Sequence, residues 1–102
     1  MFDLRAVPRH AEAVIHRRVE GEAILLNLDN SYYYGLDPLG SEIWGMCDGA
    51  HSVQSMLDWV CAEYDVARDR ARRDLLELLD DLGREGLITI ESVAAETRPA
   101  AS

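Results

Sequence analysis

The sequence contains no lysine, so all ten of its basic residues are arginine, against nineteen aspartate and glutamate residues. The resulting net charge of −9 lies mostly in the part of the chain after residue 36. An electrostatic field of this sign repels nucleic acid and anionic membranes, and it favours a partner with basic character. The charge therefore weighs against a nucleic-acid or membrane partner.

Cysteine is scarce, because Cys47 and Cys61 are the only two in the chain. Two cysteines so far apart exclude a disulfide scaffold and a zinc knuckle. Both fall where the hydrophobic pattern predicts the interior of a helix. We therefore expect reduced thiols packed in the core.

Long apolar runs are also absent from the sequence. None approaches the roughly 20 residues that span a bilayer. The first ten residues, MFDLRAVPRH, lack the apolar centre of a secretory signal. These absences predict a cytoplasmic protein.

What remains is a chain of 102 residues with 48% hydrophobic composition, enough for one small domain, which we assign to residues 1–90. The first ten residues are interpreted as a lead-in. Strands are predicted at 13–19, 23–28 and 32–36, separated by turn residues at Gly21 and in the segment DNS. The prediction is a three-stranded antiparallel meander.

Three consecutive tyrosines occupy the third predicted strand. Alternation places Tyr32, Tyr34 and Leu36 on one face and Tyr33 and Gly35 on the other. Leu36 identifies the first face as the core face, so Tyr33 points outward. Two roles for Tyr33 stay open: packing across the sheet, or contact with a partner.

Three helices are predicted after the sheet. They cover 37–48, with Asp37 and Pro38 as cap and first residue, then 52–64, with Ser52 as cap, and 68–85, which Gly86 ends. A short strand follows at 87–90, and residues 91–102 are predicted to be a disordered tail. The fold class is therefore α+β, with a three-stranded antiparallel sheet followed by three helices.

The third helix carries a stripe of leucines and one mixed flank. On a helical wheel of 100° per residue, Arg72, Leu76, Asp80 and Gly83 gather beside Leu79. An apolar residue, a gap at glycine and charges at the rim predict the wall of a groove. The acidic second half of the helix is either a solvated, ion-paired face or a docking patch.

No catalytic motif is present, and we expect no catalytic residue, metal site or cofactor. His10, His16 and His51 are scattered over loop, strand and turn positions, so surface histidines are expected. A winged-helix DNA-binding regulator is the alternative function, because the third helix is rich in arginine at its start. The net charge argues against that alternative.

Four segments together resemble the PqqD-like family of peptide-recognition domains, which serve pathways that modify ribosomally made peptides. They are AILLNLDNSYYYGLDPLGSEIW, CDG, SVQSMLDWVCAEYDV and DLLELLDDLGREGLI, within residues 15–90. The segment from YYGLDPLG to IW resembles stand-alone leader-binding proteins of lasso-peptide clusters or other PqqD-like chaperones. CDG is more similar to the pyrroloquinoline quinone pathway, but LDNS stands where proteins of that pathway usually have a PE pair.

The resemblance implies a winged helix-turn-helix-like domain without enzymatic activity. Such a domain binds the leader of a precursor peptide as an added strand, between the third strand of the sheet and the third helix, and presents it to a modifying enzyme. Carried onto this sequence, the implied peptide-binding residues are Tyr32, Tyr33, Tyr34, Gly35, Arg72, Leu76, Leu79, Asp80 and Gly83.

The partners implied are therefore the precursor peptide and a modifying enzyme, either a leader peptidase or a maturase such as a radical SAM enzyme. Trp59 and the acidic end of the third helix are alternative docking surfaces for that enzyme. A monomer is expected, with dimerisation through strand edges as the alternative.

Overall fold

The computed structural model describes residues 3–93, which form an α+β fold. Strands β2, β3 and β4 form an antiparallel sheet in that order, and three helices follow it, as predicted. The elements are β1 (Ala6–His10), β2 (Val14–Val19), β3 (Glu22–Asn27), β4 (Tyr32–Gly35), α1 (Pro38–Met46), α2 (Val53–Glu63), α3 (Arg68–Arg84) and β5 (Ile88–Val93).

A second sheet joins the two ends of the described chain. The predicted lead-in is wrong, because Ala6–His10 is a strand that pairs with β5 in antiparallel register. The register shifts between Val7 and Pro8, and a bulge is a place where a strand tolerates proline. Of the predicted tail, residues 91–93 belong to β5, and 94–102 lie outside the described residues.

Local sequence signals fix the turns and helix ends. Asp37 accepts a hydrogen bond from the Gly40 N–H at 2.7 Å, and Ser52 accepts one from the Ser55 N–H at 3.1 Å, so both predicted caps are confirmed. Gly86 takes a positive φ of 75°, and the next N–H bonds back to Leu82 O at 2.9 Å. This Schellman-type ending turns the chain from α3 into β5.

Trp44 of α1 lies in the core. It is only 1% exposed. His10 of β1 stacks on its ring, with centroids 3.7 Å apart, and bonds to Trp44 O through Nε2 at 2.7 Å. Burial lowers the pKa of His10 against the opposing effect of that hydrogen bond. The sequence predicted a surface histidine here, and the half-buried position of His10 follows from strand β1, which was not predicted.

Buried Ser41 connects α1 to the sheet. The Ala23 N–H donates to Ser41 Oγ at 2.6 Å, and Ser41 Oγ donates to Leu36 O at 3.2 Å. The hydroxyl therefore occupies a place in the β3–β4 ladder where a backbone bond would otherwise lie. This link fixes the end of β4 against the first turns of α1.

Asn27 connects the opposite end of the sheet to α3. Its side chain is buried, and Nδ2 donates to Glu85 O at 3.0 Å, while Oδ1 accepts from the Asp29 N–H at 2.8 Å. The last turn of α3 is therefore held beside the end of β3.

Replacement of Asn27 by alanine should lower the free energy of unfolding by about 1–3 kcal/mol, because two polar groups lose their partner. Urea denaturation followed by circular dichroism measures this difference. Asn30→Ala is the matched control, since Asn30 makes an exposed bond to the Tyr32 N–H. Equal losses in the two variants would show that the Asn27 link does not stabilise the fold.

Candidate functional site

The edge of β4 is the first component of the site. Within residues 3–93, β4 pairs with β3 alone. The Leu36 N–H donates to Ala23 O at 2.9 Å, and Tyr34 lies opposite Leu25. Because inward and outward hydrogen bonding alternates along an antiparallel edge strand, Tyr33 and Gly35 direct their N–H and C=O groups away from β3. This edge has the geometry to accept another extended segment.

The three tyrosines of β4 point in different directions. Tyr34 is half-buried and packs against the core, whereas Tyr33 is on the outer face and 73% exposed. The predicted alternation is confirmed for these two residues. Tyr32 lies on the same side as Tyr34, with ring centroids 6.5 Å apart, but it extends past the core and is 64% exposed.

Tyr34 links the strand edge to the end of α3. Its hydroxyl donates to Glu85 Oε1 at 2.9 Å. Loss of solvent around the half-buried ring, followed by this bond to a carboxylate, raises the pKa of Tyr34. The phenol is thus held in its neutral, donating form across one end of the space between β4 and α3.

An apolar pocket of about 340 Å³ lies between the three helices. All three helices contribute to it, beginning with Leu39, in the first turn of α1 directly after β4. Its lining is Leu39, Ile43, Val60, Tyr64, Val66, Arg70, Ala71, Asp74, Leu75 and Leu78. A pocket with this lining suits a large apolar side chain with polar groups at its rim.

The bond from Tyr34 to Glu85 shows which flank of α3 faces β4. Leu78 lines the pocket, and Glu85, two turns further along the same side of α3, bonds Tyr34. Arg70 and Asp74 continue this side toward the start of the helix and lie 3.7 Å apart as an exposed ion pair. We call the side formed by Arg70, Asp74, Leu78 and Glu85 the Leu78 flank.

Of the helix residues predicted from the sequence, Leu79 belongs to the buried stripe, and the other four lie on its other side. Arg72 is exposed, Leu76 is partly buried against the core, and Leu79 is fully buried within it. Asp80 and Gly83 are half-buried. The structure places Tyr34 beside Glu85, on the Leu78 flank. Peptide binding by them stays a prediction.

The Leu78 flank also has a signal in the sequence, one that the helical wheel did not single out. Arg70, Asp74 and Leu78 recur at the spacing of one helical face, with charges around an apolar residue. This pattern is equivalent to that of Arg72, Leu76 and Asp80. Periodicity alone does not distinguish two flanks that border the same buried stripe.

The remaining candidates from the sequence have ordinary partners. Trp59 is half-buried and packs edge-on against Tyr64, with ring centroids 6.0 Å apart. Arg84 pairs with Asp81 at 3.0 Å, and Arg68 reaches Asp58 on α2 at 2.8 Å. These exposed pairs belong to the solvated face of the helices, where each contributes about 0–1 kcal/mol.

Chemically reactive groups are not concentrated at this site. Burial raises the pKa of the Cys47 thiol to about 12. Over residues 3–93, no group of three or more His, Cys, Asp and Glu side chains could hold a metal ion. In the same part of the chain, every helix is too short or too polar to cross a membrane.

Residues 22–88 match the family described as Coenzyme PQQ synthesis protein D (PqqD). The chain belongs to the PqqD family. This confirms the resemblance found in the sequence, and the matched region contains β3, β4, the three helices and the turn into β5. The Leu78 flank and the β4 edge both lie inside the family region.

Relatives of this PqqD-family chain include proteins named PqqA binding protein from Rhodopseudomonas palustris. The one from strain CGA009 is 36% identical over 63 residues, which are 62% of this chain and 59% of the relative. The one from strain BisB5 is 30% identical over 84 residues, which are 82% of this chain and 79% of the relative. The chain thus spans about 59% of the length of the CGA009 relative.

Two solved structures are similar to this PqqD-family fold. TbiB1 in complex with the TbiA(beta) leader peptide is 34% identical, with a TM-score of 0.74 over 84% of this chain and 98% of the other. Lasso peptide synthetase B1 complexed with the leader peptide is 23% identical, with a TM-score of 0.76 over 82% and 99%. The second likeness concerns the fold alone.

Glu85→Gln should lower the pKa of Tyr34, because it removes the negative charge and the carboxylate acceptor beside the phenol. The pKa should stay above the ordinary value of tyrosine, since the partial burial of the ring is unchanged. Titration followed by NMR of the tyrosine ring carbons measures the shift. Glu63→Gln controls for the loss of one negative charge, and an identical Tyr34 titration in all three proteins would contradict the link.

Proposed function

We propose that this chain is a non-catalytic carrier that binds the leader of a ribosomally made precursor peptide and presents it to a modifying enzyme. The observation that carries the proposal is the outward-facing hydrogen-bonding edge of β4, followed shortly along the chain by Leu39 in the lining of an apolar pocket. A protein 34% identical to this chain has been solved with a leader peptide. Leader binding and presentation to the enzyme would take place in the cytoplasm, where precursor peptides are synthesised.

In the proposed complex, the leader is a fourth strand on β4. Tyr33 and Gly35 offer two N–H and two C=O groups along the edge, in positions inferred from the pairing with β3. At about 0.5–1.5 kcal/mol each, such bonds alone give weak binding. An apolar anchor on the leader must supply much of the remaining affinity, because ordering a flexible peptide opposes binding.

The pocket beside the Leu78 flank is the proposed site for that anchor. Its apolar lining comes from α1, α2 and α3, so it forms only when the three helices are packed. Arg70 and Asp74 lie at its rim and offer charges of both signs to the peptide. The leader would therefore carry a large apolar side chain with polar neighbours.

The flank predicted from the sequence defines a competing wall for the same peptide. It consists of Arg72, Leu76, Leu79, Asp80 and Gly83, and it extends the opposite side of the buried stripe. Leu79 is fully buried, so its side chain supports the core rather than a surface groove. We favour the Leu78 flank because Tyr34 bonds to Glu85 on that side.

We further infer that α2, α3 and the sheet form a winged helix-turn-helix-like unit. The comparisons give no support to the DNA-binding alternative. Arg70, one of its candidate contacts, is paired with Asp74 at 3.7 Å, and the net charge of −9 opposes a duplex. The precursor determines whether the pathway makes a lasso peptide or a quinone cofactor. We propose that this chain serves a pathway of the lasso-peptide type.

Leu78→Asp should weaken leader binding at least tenfold, because it places a carboxylate in the apolar pocket. Leu76→Asp is the matched control, since both leucines are half-buried on α3 but lie on opposite flanks. Fluorescence anisotropy with a labelled leader from the precursor encoded beside this chain measures the affinity, and thermal melting checks that both variants are folded. If Leu76→Asp abolishes binding and Leu78→Asp does not, the peptide uses the flank predicted from the sequence.

Tyr33→Pro separates the backbone contribution of β4 from the contribution of its side chain. Proline removes the outward N–H, whereas Tyr33→Ala removes the ring and keeps the N–H. We expect Tyr33→Pro to bind the leader about tenfold more weakly than Tyr33→Ala, since one lost hydrogen bond is worth up to about 1.5 kcal/mol. Equal affinities of the two variants would argue against strand addition.

A further inference from the structure

The outer face of the three-stranded sheet carries exposed apolar side chains in one continuous row. Ile15 on β2 lies opposite Leu26 on β3, which lies opposite Tyr33 on β4. Ile15 is 53% exposed and Tyr33 is 73% exposed. Ile24, the next outward residue of β3, is 38% exposed, and its neighbour on β4 is Gly35, which has no side chain to cover it.

This face is distinct from the proposed peptide site. The core side of the same strands carries Ala23 and Leu25, which are fully buried under the helices. Successive side chains of a strand point to opposite sides of the sheet, so the row of Ile15, Leu26 and Tyr33 faces away from α3 and its pocket. A second macromolecule can therefore contact the outer face while a peptide occupies the β4 edge.

The outer face ends in an acidic hollow of about 520 Å³. Glu20 and Glu22 line it from the β2–β3 turn, and Asp37 lines it from the end of β4. Ile24 connects it to the apolar row, and Gly35 leaves its floor open, since an added Cβ there would meet nothing within 4 Å. The hollow suits the end of an arginine or lysine side chain next to an apolar contact.

From this juxtaposition we propose that the outer face of the β2–β3–β4 sheet is the docking surface for the enzyme that acts on the bound leader. The enzyme's matching surface has an apolar centre and a basic side chain that enters the acidic hollow. The proposal rests on the proposed function, because it assumes that the β4 edge holds the leader. Two copies of this chain each carry a net charge of −9 and repel one another, whereas a basic partner is attracted.

Strand addition would also connect the two sites. A leader bound along β4 extends the sheet, and every second leader side chain then joins the outer face beside Tyr33. An enzyme docked on that face touches both the carrier and the leader. Its affinity should therefore rise when the leader is bound, and the leader's affinity should rise by the same factor when the enzyme is bound.

Ile15→Lys tests the docking surface without touching the proposed peptide site, since Ile15 lies on β2, across the sheet from the β4 edge. Ile90→Lys is the matched control, because Ile90 is an apolar strand residue that is 46% exposed on the other sheet. The probe is the purified modifying enzyme encoded with the same precursor. Enzyme binding to the full chain is measured by calorimetry, and leader binding by anisotropy.

The proposal expects Ile15→Lys to weaken enzyme binding at least tenfold while leader affinity stays within about twofold. Ile90→Lys should match the original protein in both measurements. Glu22→Arg should weaken enzyme binding and reduce its dependence on salt, because it removes one carboxylate from the acidic hollow.

Unchanged enzyme binding by Ile15→Lys would overturn the proposal. A second result would also overturn it: sedimentation shows that the original protein is a dimer and Ile15→Lys a monomer, and the two proteins bind the enzyme with equal affinity. In that case a second copy of the chain covers the outer face. Failure of the original protein to bind the leader is a separate result. It refutes the proposed function. It also refutes the docking proposal, because that proposal assumes a leader bound at the β4 edge, and no measurement on Ile15→Lys is then needed.

Discussion

The bond from Asn27 to the backbone of Glu85 sets the position of α3 relative to the sheet. It joins the Asn27 side chain of β3 to the backbone carbonyl of Glu85 at the end of the helix, and the Tyr34 hydroxyl adds a second bond, to the Glu85 side chain. At the other end, Ser41 fixes α1 to the β3–β4 ladder. Polar contacts therefore fix both the start of α1 and the end of α3 to the sheet that carries the β4 edge.

An open strand edge conflicts with solubility. Exposed N–H and C=O groups favour pairing between copies, and apolar side chains on the outer face add to this tendency. The net charge of −9 opposes such association through repulsion between copies. A large negative charge thus permits the fold to keep an edge and a face that are available to partners, and it selects partners of opposite charge.

Local features of this fold were predictable, and non-local ones were not. The caps Asp37 and Ser52, the stop at Gly86 and the alternation of the tyrosines each depend on residues within a few positions. The pairing of β1 with β5 joins the two ends of the described chain. Strand β1 was not predicted, because it contains Pro8. The stacking of half-buried His10 on Trp44 was missed together with that strand. Likewise, the proposed preference for the Leu78 flank over the Leu76 flank rests on the position of Tyr34, which no helical pattern contains.

The consecutive tyrosines of β4 show how one short strand can make contacts on several sides. Tyr34 points inward and bonds to Glu85, which keeps the helix and strand in register. Tyr33 points outward and extends the row from Ile15 and Leu26, while its backbone groups face the edge. A strand has only two faces and one free edge when it lies at the border of a sheet. In β4 the inner face stabilises the fold, the edge is suited to a peptide, and the outer face is suited to a protein. A change of register by one residue would exchange the inner and outer roles, which is why the turn at Asn30 and Ser31 matters as much as the tyrosines themselves.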